Sequence, residues 1–264
     1  MSRNTAFRLV WVILFSFCLY GFIRKDWSWI VFIILFVIFI ATTAWGSFDL
    51  RLQFFSPVIF KGKTSDAKLA LTFDDGPTPY TLQVLDILKK HNFKATFFCI
   101  GNQVQKHPEI ALEILKQGHT IGNHTLTHTS KMGFLPYKEI KKEISENSKI
   151  LQSVLNINPQ WFRPPFGVTN PTIAKVIKEE DLTCIGWNIR SLDTVSKSSE
   201  EIVERVKRKL KPNGIVLMHD TSQLSVSALE QLLLEIKKQE FAVVPLQELI
   251  LELPYKDEKV NPIS

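Results

Sequence analysis

Cysteine is scarce in this chain. Cys18, Cys99 and Cys184 are the only three, they are widely separated, and each sits in an apolar run. That excludes a disulfide framework and a thiolate zinc site, and it points to buried free thiols. Glycine and proline are not in surplus. With 11 and 13 copies in 264 residues, collagen-like and low-complexity chains are excluded. Charge is modest and nearly balanced: 32 basic against 26 acidic residues leave +6, with no long basic patch. Nucleic acid is therefore not an expected partner. Hydrophobic residues at 45% and charged residues at 22% exclude intrinsic disorder. No internal repeat is visible.

What the chain does have is unevenly spread. Leu9 to Ile23 carries no charge, then come Arg24, Lys25 and Asp26, and Trp27 to Trp45 is again uncharged. A span of ~20 apolar residues crosses the hydrocarbon core of a bilayer, and ~17 is a practical minimum. The second run reads as a transmembrane helix with Trp27, Trp29 and Trp45 at headgroup level. The first run spans only if Phe7 and a snorkelling Arg8 extend it. A signal peptide is the competing reading, but no small-x-small cleavage site follows. Bulky Phe17 before Cys18 speaks against a lipoprotein. The expectation is a membrane region over residues 1–50, a helical hairpin at about 7–23 and 27–45, with lipid as its partner. A linker over 51–65, a folded domain over 66–252 and a tail over 253–264 follow. Arg24 and Lys25 in the loop tie with Arg3 and Arg8 before it, so charge leaves the orientation open.

From Lys68 onward, short apolar runs alternate with helical patterns. Strands are expected at Lys68–Phe73, Lys94–Ile100, His119–Asn123, Trp161–Arg163, Leu182–Trp187, Ile215–Met218 and Phe241–Val244. Continuous runs such as Ala95–Ile100 suit strands covered on both faces. Between them, Thr78-Pro79 and Asn170-Pro171 are helix starts, Gly118 is a helix stop, and Ser198 with Glu201 makes a capping box. Ile140, Ile144, Leu151 and Val154 mark a long amphipathic helix with Asn147 as a polar interruption. Alternating strands and helices predict βαβ units around a parallel sheet. In such folds the site lies at the C-terminal ends of the strands.

Reactive residues collect there. Asp74 and Asp75 follow the first strand, His124 and His128 the third, Arg163 ends the fourth, Asp193 lies beyond the fifth, and His219-Asp220 follows the sixth. Each group has a plain alternative: Asp74-Asp75-Gly76-Pro77 as a capped turn, and the His pair as structural. Together, an Asp and two His form a three-donor set for zinc or a similar divalent ion, with a position left for water. The other carboxylate is then free to act as a base, Arg163 to pair with it, and a third His to act as an acid. That pattern reads as metal-assisted hydrolysis.

Taken in order, Thr72-Phe73-Asp74-Asp75-Gly76-Pro77, His124-Thr125-Leu126-Thr127-His128, Arg163-Pro164-Pro165-Phe166-Gly167 and Leu217-Met218-His219 resemble the motifs of the polysaccharide deacetylases. These are the NodB-homology proteins of carbohydrate esterase family four. The resemblance covers roughly residues 66–252. It implies an α/β fold, a distorted seven-stranded (β/α) barrel, and metal-dependent removal of acetyl groups from N-acetylated sugars. By position it implies Asp74 as base, Asp75, His124 and His128 as metal ligands, and Arg163 as the residue orienting the base. It further implies an oxyanion donor in the backbone of Phe166, an acetyl-methyl contact at Leu217, and His219 as the acid. Pro165 falls in the same substrate-facing turn. Zinc is the first choice of metal, with cobalt, nickel or manganese as alternatives.

One stretch departs from the family pattern. Where Asp-x-x-Asp-Trp is common, this chain has Arg190-Ser191-Leu192-Asp193-Thr194. Asp193 keeps the carboxylate that would hold His219, Arg190 replaces an acid, and Thr194 replaces a groove tryptophan. Trp187 is left as a candidate sugar platform or a core residue. The expected activity is N-deacetylation of an N-acetylglucosamine-containing glycan, peptidoglycan or chitin-type, by a membrane-anchored enzyme. Two readings stand beside it: hydrolysis of another non-peptide C–N bond or of a glycolipid headgroup, and a non-catalytic glycan-binding membrane protein. An extracytoplasmic domain is expected only because cell-wall glycan lies outside.

Overall fold

Strand alternation builds the core of the molecule from the first strand outward. In β1 (Lys68–Asp74), Leu69, Leu71 and Phe73 face a layer of helices, while Ala70 packs on the opposite side of the sheet. Thr72 and Asp74 share the Ala70 face, as a period of two requires. The computed structural model describes residues 3–63 and 66–256.

The chain begins with two long helices, α1 (Arg3–Ile23) and α2 (Trp29–Phe48). After β1 come α3 (Pro79–Lys90), β2 (Thr96–Cys99), α4 (Gly101–Lys106), α5 (Pro108–Lys116) and β3 (Thr120–Asn123). Next are α6 (Tyr137–Leu155), β4 (Trp161–Phe162), α7 (Pro171–Glu179), β5 (Thr183–Cys184) and β6 (Ile189–Arg190). The last elements are α8 (Ser199–Lys207), β7 (Gly214–His219), α9 (Gln223–Lys238), β8 (Ala242–Val243) and α10 (Leu246–Ile250).

The strands form one parallel sheet in the order β5-β4-β3-β2-β1-β7-β6, with β8 added beside the start of β1. The sheet curls into an open seven-stranded (β/α) barrel, the fold class expected from the sequence. Membership differs in two places. The expected strand Leu182–Trp187 ends at Cys184 apart from a bridge at Ile185, and the sheet resumes in β6. The expected strand Phe241–Val244 shortens to β8, which pairs only with Lys68 and Leu69. The barrel is not closed between β5 and β6. Ile59 lies along Ile185 there, its N–H donating to Cys184 and its carbonyl accepting from Gly186.

Three apolar clusters hold this arrangement. The largest fills the space between the sheet and α3, α5, α8 and α9. A second lies between β4 and β5 and helices α6 and α7. The third is inside the barrel: Ala70, Phe98, Trp161, Ile185 and Ile215, capped below by Leu246, Leu249 and Ile250 of α10. Trp161 is fully buried, and truncating such a residue to alanine costs about 3–5 kcal/mol. Helix α10 thus seals the N-terminal end of the barrel, which leaves the C-terminal end for a site.

The segment expected as a linker is packed. Leu50 and Val58 are buried, and the Gly62 and Lys63 N–H groups donate to Asn213 and Leu249 carbonyls. In the expected tail, Gln160 donates to Pro254, Lys256 donates to Asn158, and the Tyr255 hydroxyl accepts from the Ile121 N–H at 2.9 Å. The rest of that tail, 257–264, lies outside the described residues, as do linker residues 64 and 65. All three cysteines are free and buried.

Helices α1 and α2 differ from the rest. Both are 20 residues long over their apolar stretch, and only 17% and 6% of their most apolar windows are buried. They pack on each other through Phe7, Trp11 and Phe39, and Trp27 closes against Gly21. These two helices are long and apolar enough to cross a membrane.

Candidate active site

Sheet register brings the reactive residues together. Asp74 is paired with His219 across β1 and β7, and Asn123 with Phe162 across β3 and β4. The residues after those pairs, His124 and Arg163, are therefore neighbours too. Asp74, Arg163 and His219 come to the open barrel end on the inward face. None of them depends on a long flexible loop for its position.

Arg163 is fully buried and multiply held. Its Nη1 donates to Asp74 Oδ1 at 2.7 Å and to Thr72 Oγ1 at 2.8 Å. Its Nε and Nη2 donate to the carbonyls of Ile185 and Gly186 at 3.2 and 3.0 Å. The guanidinium also lies 4.1 Å from the Phe98 ring centroid. Burial pulls its pKa down and the Asp74 charge works the other way; a guanidinium stays charged in either case. The pair fixes one oxygen of Asp74 and leaves Oδ2 facing His124, 3.8 Å from its Nε2.

Asp75, His124 and His128 converge on a single point, with one donor atom each and all three within 4.8 Å of one another. Asp75 Oδ1 lies 3.3 Å from Nε2 of both histidines. It is buried and has no well-formed hydrogen bond among the described residues. The His124 Nδ1 sits 2.7 Å from the Arg163 carbonyl, so that nitrogen carries the proton and the Nε2 lone pair points at Asp75. Burial raises the Asp75 carboxyl, but contact with His124 and the charges of His128 and His219 hold it well below the usual carboxylate range. Burial lowers His128. An orphaned carboxylate oxygen beside two imidazole lone pairs fits a divalent cation.

The fourth group is His219. Its Nδ1 is 2.8 Å from Asp193 Oδ1, and its backbone N–H donates to Asp193 Oδ2 at 2.7 Å. Ser191 donates its hydroxyl to the same carboxylate at 2.8 Å. The free Nε2 faces Asp75 Oδ2 at 3.9 Å. Burial alone would lower the His219 pKa, but Asp193, followed by Asp74 and Asp75, pushes it up to about 9. Asp193 is itself held low by His219 against its own burial.

Local backbone strain aims several of these side chains. Asp75, Thr125, His128, Phe166 and Leu192 all have φ between 52° and 75°, a region that non-glycine residues enter at a cost of about 1–3 kcal/mol. Gly76 has no alternative, because a Cβ there would lie 2.3 Å from Asp220 Oδ2. Asp220 is fully buried, accepts from the Thr81 hydroxyl, and burial pushes its carboxyl up to about 7.

Two asparagines give no motif signal yet position the histidine loop. Asn147 Nδ2 donates to the Cys99 carbonyl and to Asn123 Oδ1, both at 3.0 Å. Asn123 Oδ1 accepts from the Thr125 N–H at 2.9 Å, and its Nδ2 donates to Ile144 and Ser148. The Asn147 interruption of an apolar stripe was the available clue.

The residues expected to face substrate surround this centre. Pro165 is buried and Phe166 is 53% exposed, with its ring 4.7 Å from that of His128. Leu217 lies between Ile215 and His219 on the inward face of β7 and is 3% exposed. Trp187 is half-buried, packs on the second and third clusters, and has Arg163 and Arg190 5.6 and 5.9 Å from its ring.

Comparison with known proteins places the chain in a family. Residues 61–185 match the family model "Polysaccharide deacetylase". A peptidoglycan-N-acetylglucosamine deacetylase of Bacillus cereus is 37% identical over 188 residues, which is 69% of this chain and 87% of that protein. The PgdA deacetylase of Listeria monocytogenes is 32% identical, but this chain spans only 41% of its length. Among solved structures, the Bc1960 peptidoglycan N-acetylglucosamine deacetylase superposes with a TM-score of 0.72 at 31% identity, covering 75% of this chain and 95% of that one. A CE4 family pseudoenzyme from Bacillus anthracis superposes with a TM-score of 0.68 at 29% identity, covering 73% and 68%.

Proposed function

Because the chain belongs to the polysaccharide deacetylase family, we propose that it is a membrane-anchored, divalent-metal-dependent hydrolase that removes N-acetyl groups from an N-acetylglucosamine-containing glycan. Peptidoglycan is the first substrate class and chitin-type oligomers the second. The observation that carries this reading is the meeting of Asp74–Arg163, Asp75–His124–His128 and His219–Asp193 at one barrel end.

Asp75, His124 and His128 would hold the metal, zinc by first choice. A divalent ion there supplies Lewis acidity towards a water and a carbonyl oxygen. The remaining work belongs to the chain. Asp74 Oδ2, left free by the Arg163 pair, takes the proton of the attacking water. Arg163 holds that carboxylate in place through its other oxygen. The Phe166 backbone N–H is offered to the developing oxyanion, and Leu217 contacts the acetyl methyl. His219 Nε2 gives its proton to the leaving nitrogen, and Asp193 keeps it protonated until then. Pro165 and Trp187 shape the sugar side of the cleft.

Residues 66–252 form the catalytic unit in this reading, and α1 and α2 anchor it as a hairpin with the catalytic unit outside the cytoplasm. The exposure of both helices supports an anchor over a soluble core role. The complete set of donors, base and acid weighs against a binding-only protein. Acetate release by the full chain, with and without chelator, from chito-oligomers and peptidoglycan tests the reading. No release from any substrate by metal-loaded protein would overturn it.

A further inference from the structure

The open end of the barrel does not face free solvent on every side. The rim loop after Phe166 is tied to α2: the Thr169 N–H donates to the Ser47 carbonyl at 2.9 Å. Between this loop and the helix runs a groove of about 510 Å³ lined by Ile40, Thr43, Ala44, Phe134, Phe166 and Val168. Its wall on α2 is made of Ile40, Thr43, Ala44, Ser47 and Phe48. The Thr43 hydroxyl is already spent on the Phe39 carbonyl at 2.7 Å, and the Ser47 hydroxyl on the Thr43 carbonyl at 3.1 Å. What the helix offers the groove is therefore apolar. Phe134 is 91% exposed and Phe48 67%, so two large rings stand with little protein around them.

Depth decides what can cover these rings. Ile40 precedes Trp45 by five residues, or about 7–8 Å of helix. If Trp45 marks the headgroup level, as indole rings do, the groove opens into the acyl region. It ends at Phe166, whose ring touches the metal-donor residue His128. On the other side of Phe166 and Phe48 lies a polar cleft of about 340 Å³ lined by Arg51, Trp187, Arg190 and Lys209. Arg51 is paired with Asp49. Arg190 and Lys209 are exposed and make no ion pair among the described residues. Here the chain carries Arg190 where the family pattern has an acid. One rim therefore presents, side by side, an apolar channel from the membrane, two unpaired cations and the reaction centre.

We propose that the substrate is membrane-resident: an N-acetylated sugar joined through phosphate to a long apolar chain. The chain lies in the groove along α2, the phosphate meets Arg190 and Lys209, and the acetamido group reaches Asp74 and His219. This rests on the deacetylase reading and on α2 spanning the bilayer, and it replaces polymeric glycan with a lipid-linked precursor as the preferred form.

The test uses the full chain in lipid nanodiscs, metal-loaded. Acetate release is compared for a chito-oligomer, N-acetylglucosamine 1-phosphate, and its phosphodiester with a C20 polyprenyl chain. The expected order is rising, with kcat/KM for the lipid-linked form at least tenfold above the 1-phosphate. Partitioning into the disc would also favour the lipid form, so variants separate the two. Ala44→Trp, which fills the groove, should collapse the ratio of lipid-linked to free phosphate towards one. Arg190→Gln combined with Lys209→Gln should collapse the ratio of 1-phosphate to chito-oligomer. A lipid preference that survives Ala44→Trp, or the chito-oligomer turned over faster than the lipid-linked sugar, would overturn the proposal while leaving the deacetylase reading standing. Acetate from none of the substrates would overturn the deacetylase reading and this proposal with it.

Discussion

Asp193→Asn removes one charge and keeps the shape. The asparagine oxygen can still accept from the His219 backbone N–H in place of Oδ2, and the amide NH2 then stands at the Oδ1 position, where it donates to a neutral Nδ1. What disappears is the leading cause that raises His219 from 6.5 to about 9, a gap worth about 3 kcal/mol in favour of imidazolium. Burial then acts against only the more distant Asp74 and Asp75, and the pKa falls towards 6.5 or below. With His219 as general acid, the alkaline limb of the kcat/KM profile falls with it. At pH 8 the protonated fraction drops from about nine-tenths to a few hundredths, so the rate falls about 30-fold, while at pH 6 it changes less than twofold. The acid limb moves less.

Stability gives a second readout of the same charge. A histidine whose folded pKa is raised stabilises fully below its unfolded value near 6.5, and that stability is lost as pH rises through about 9. The difference in melting temperature between wild type and Asp193→Asn should therefore be larger at pH 6 than at pH 10. The assay is acetate release from pH 5 to 10 on protein of verified metal content. An unchanged alkaline limb in an active, metal-loaded variant would refute the role given to Asp193.

Four further outcomes are expected. The full chain should bind about one divalent ion, and His124→Ala or His128→Ala should abolish that on elemental analysis; full activity after exhaustive chelation would refute the site. Asp74→Asn should lose turnover and keep the metal, whereas Asp75→Asn should lose both, and equal metal loss in the two would undo their separate roles. Asn147→Leu removes the amide that donates to the Cys99 carbonyl and to Asn123 Oδ1, while the His124 and Thr125 N–H groups still donate to these two oxygens, so it costs about 1 kcal/mol and lowers the melting temperature in detergent by about 2–4 °C; no measurable shift would show the network to be idle. External protease on intact cells should digest the catalytic domain, and protection would place it in the cytoplasm.

The convergence of the candidate site residues was legible because they follow strands. A strand end is fixed by its ladder, so Asp74 beside His219 and His124 beside Arg163 follow from register once the strands are found. Short, polar or one-sided elements were not legible. In β6, a single outward Ile189 stands between Asn188 and Arg190, too little for a periodic signal. Helix α4 has six residues with only Gly101 and Val104 buried, and it was missed. The buried Asn147 looked like a break in an apolar stripe. It instead ties the carbonyl at the end of β2, which also accepts from the His124 N–H, to the side chain of Asn123, a role that sequence periodicity does not report.

The approach to the site was still less legible, for a different reason. Periodicity reports one element against its own core, whereas the groove is made by two elements that meet only in three dimensions. Nothing local to Ser47 or Thr169 announces their hydrogen bond. The small residues of α2 suggest only a helix that something can approach closely. The segment after α2 adds to this. It looked like a free linker, but Leu50 and Val58 are buried and Ile59 fills the gap beside β5. A loose tether would let the barrel end turn to any glycan within reach. A tether that is part of the barrel wall holds the candidate site at one height and one angle to α2. For an enzyme meeting polymer that restriction is a cost in reach. For one meeting a headgroup at a fixed depth it removes an orientational search, which is the condition under which positioning lowers a barrier most.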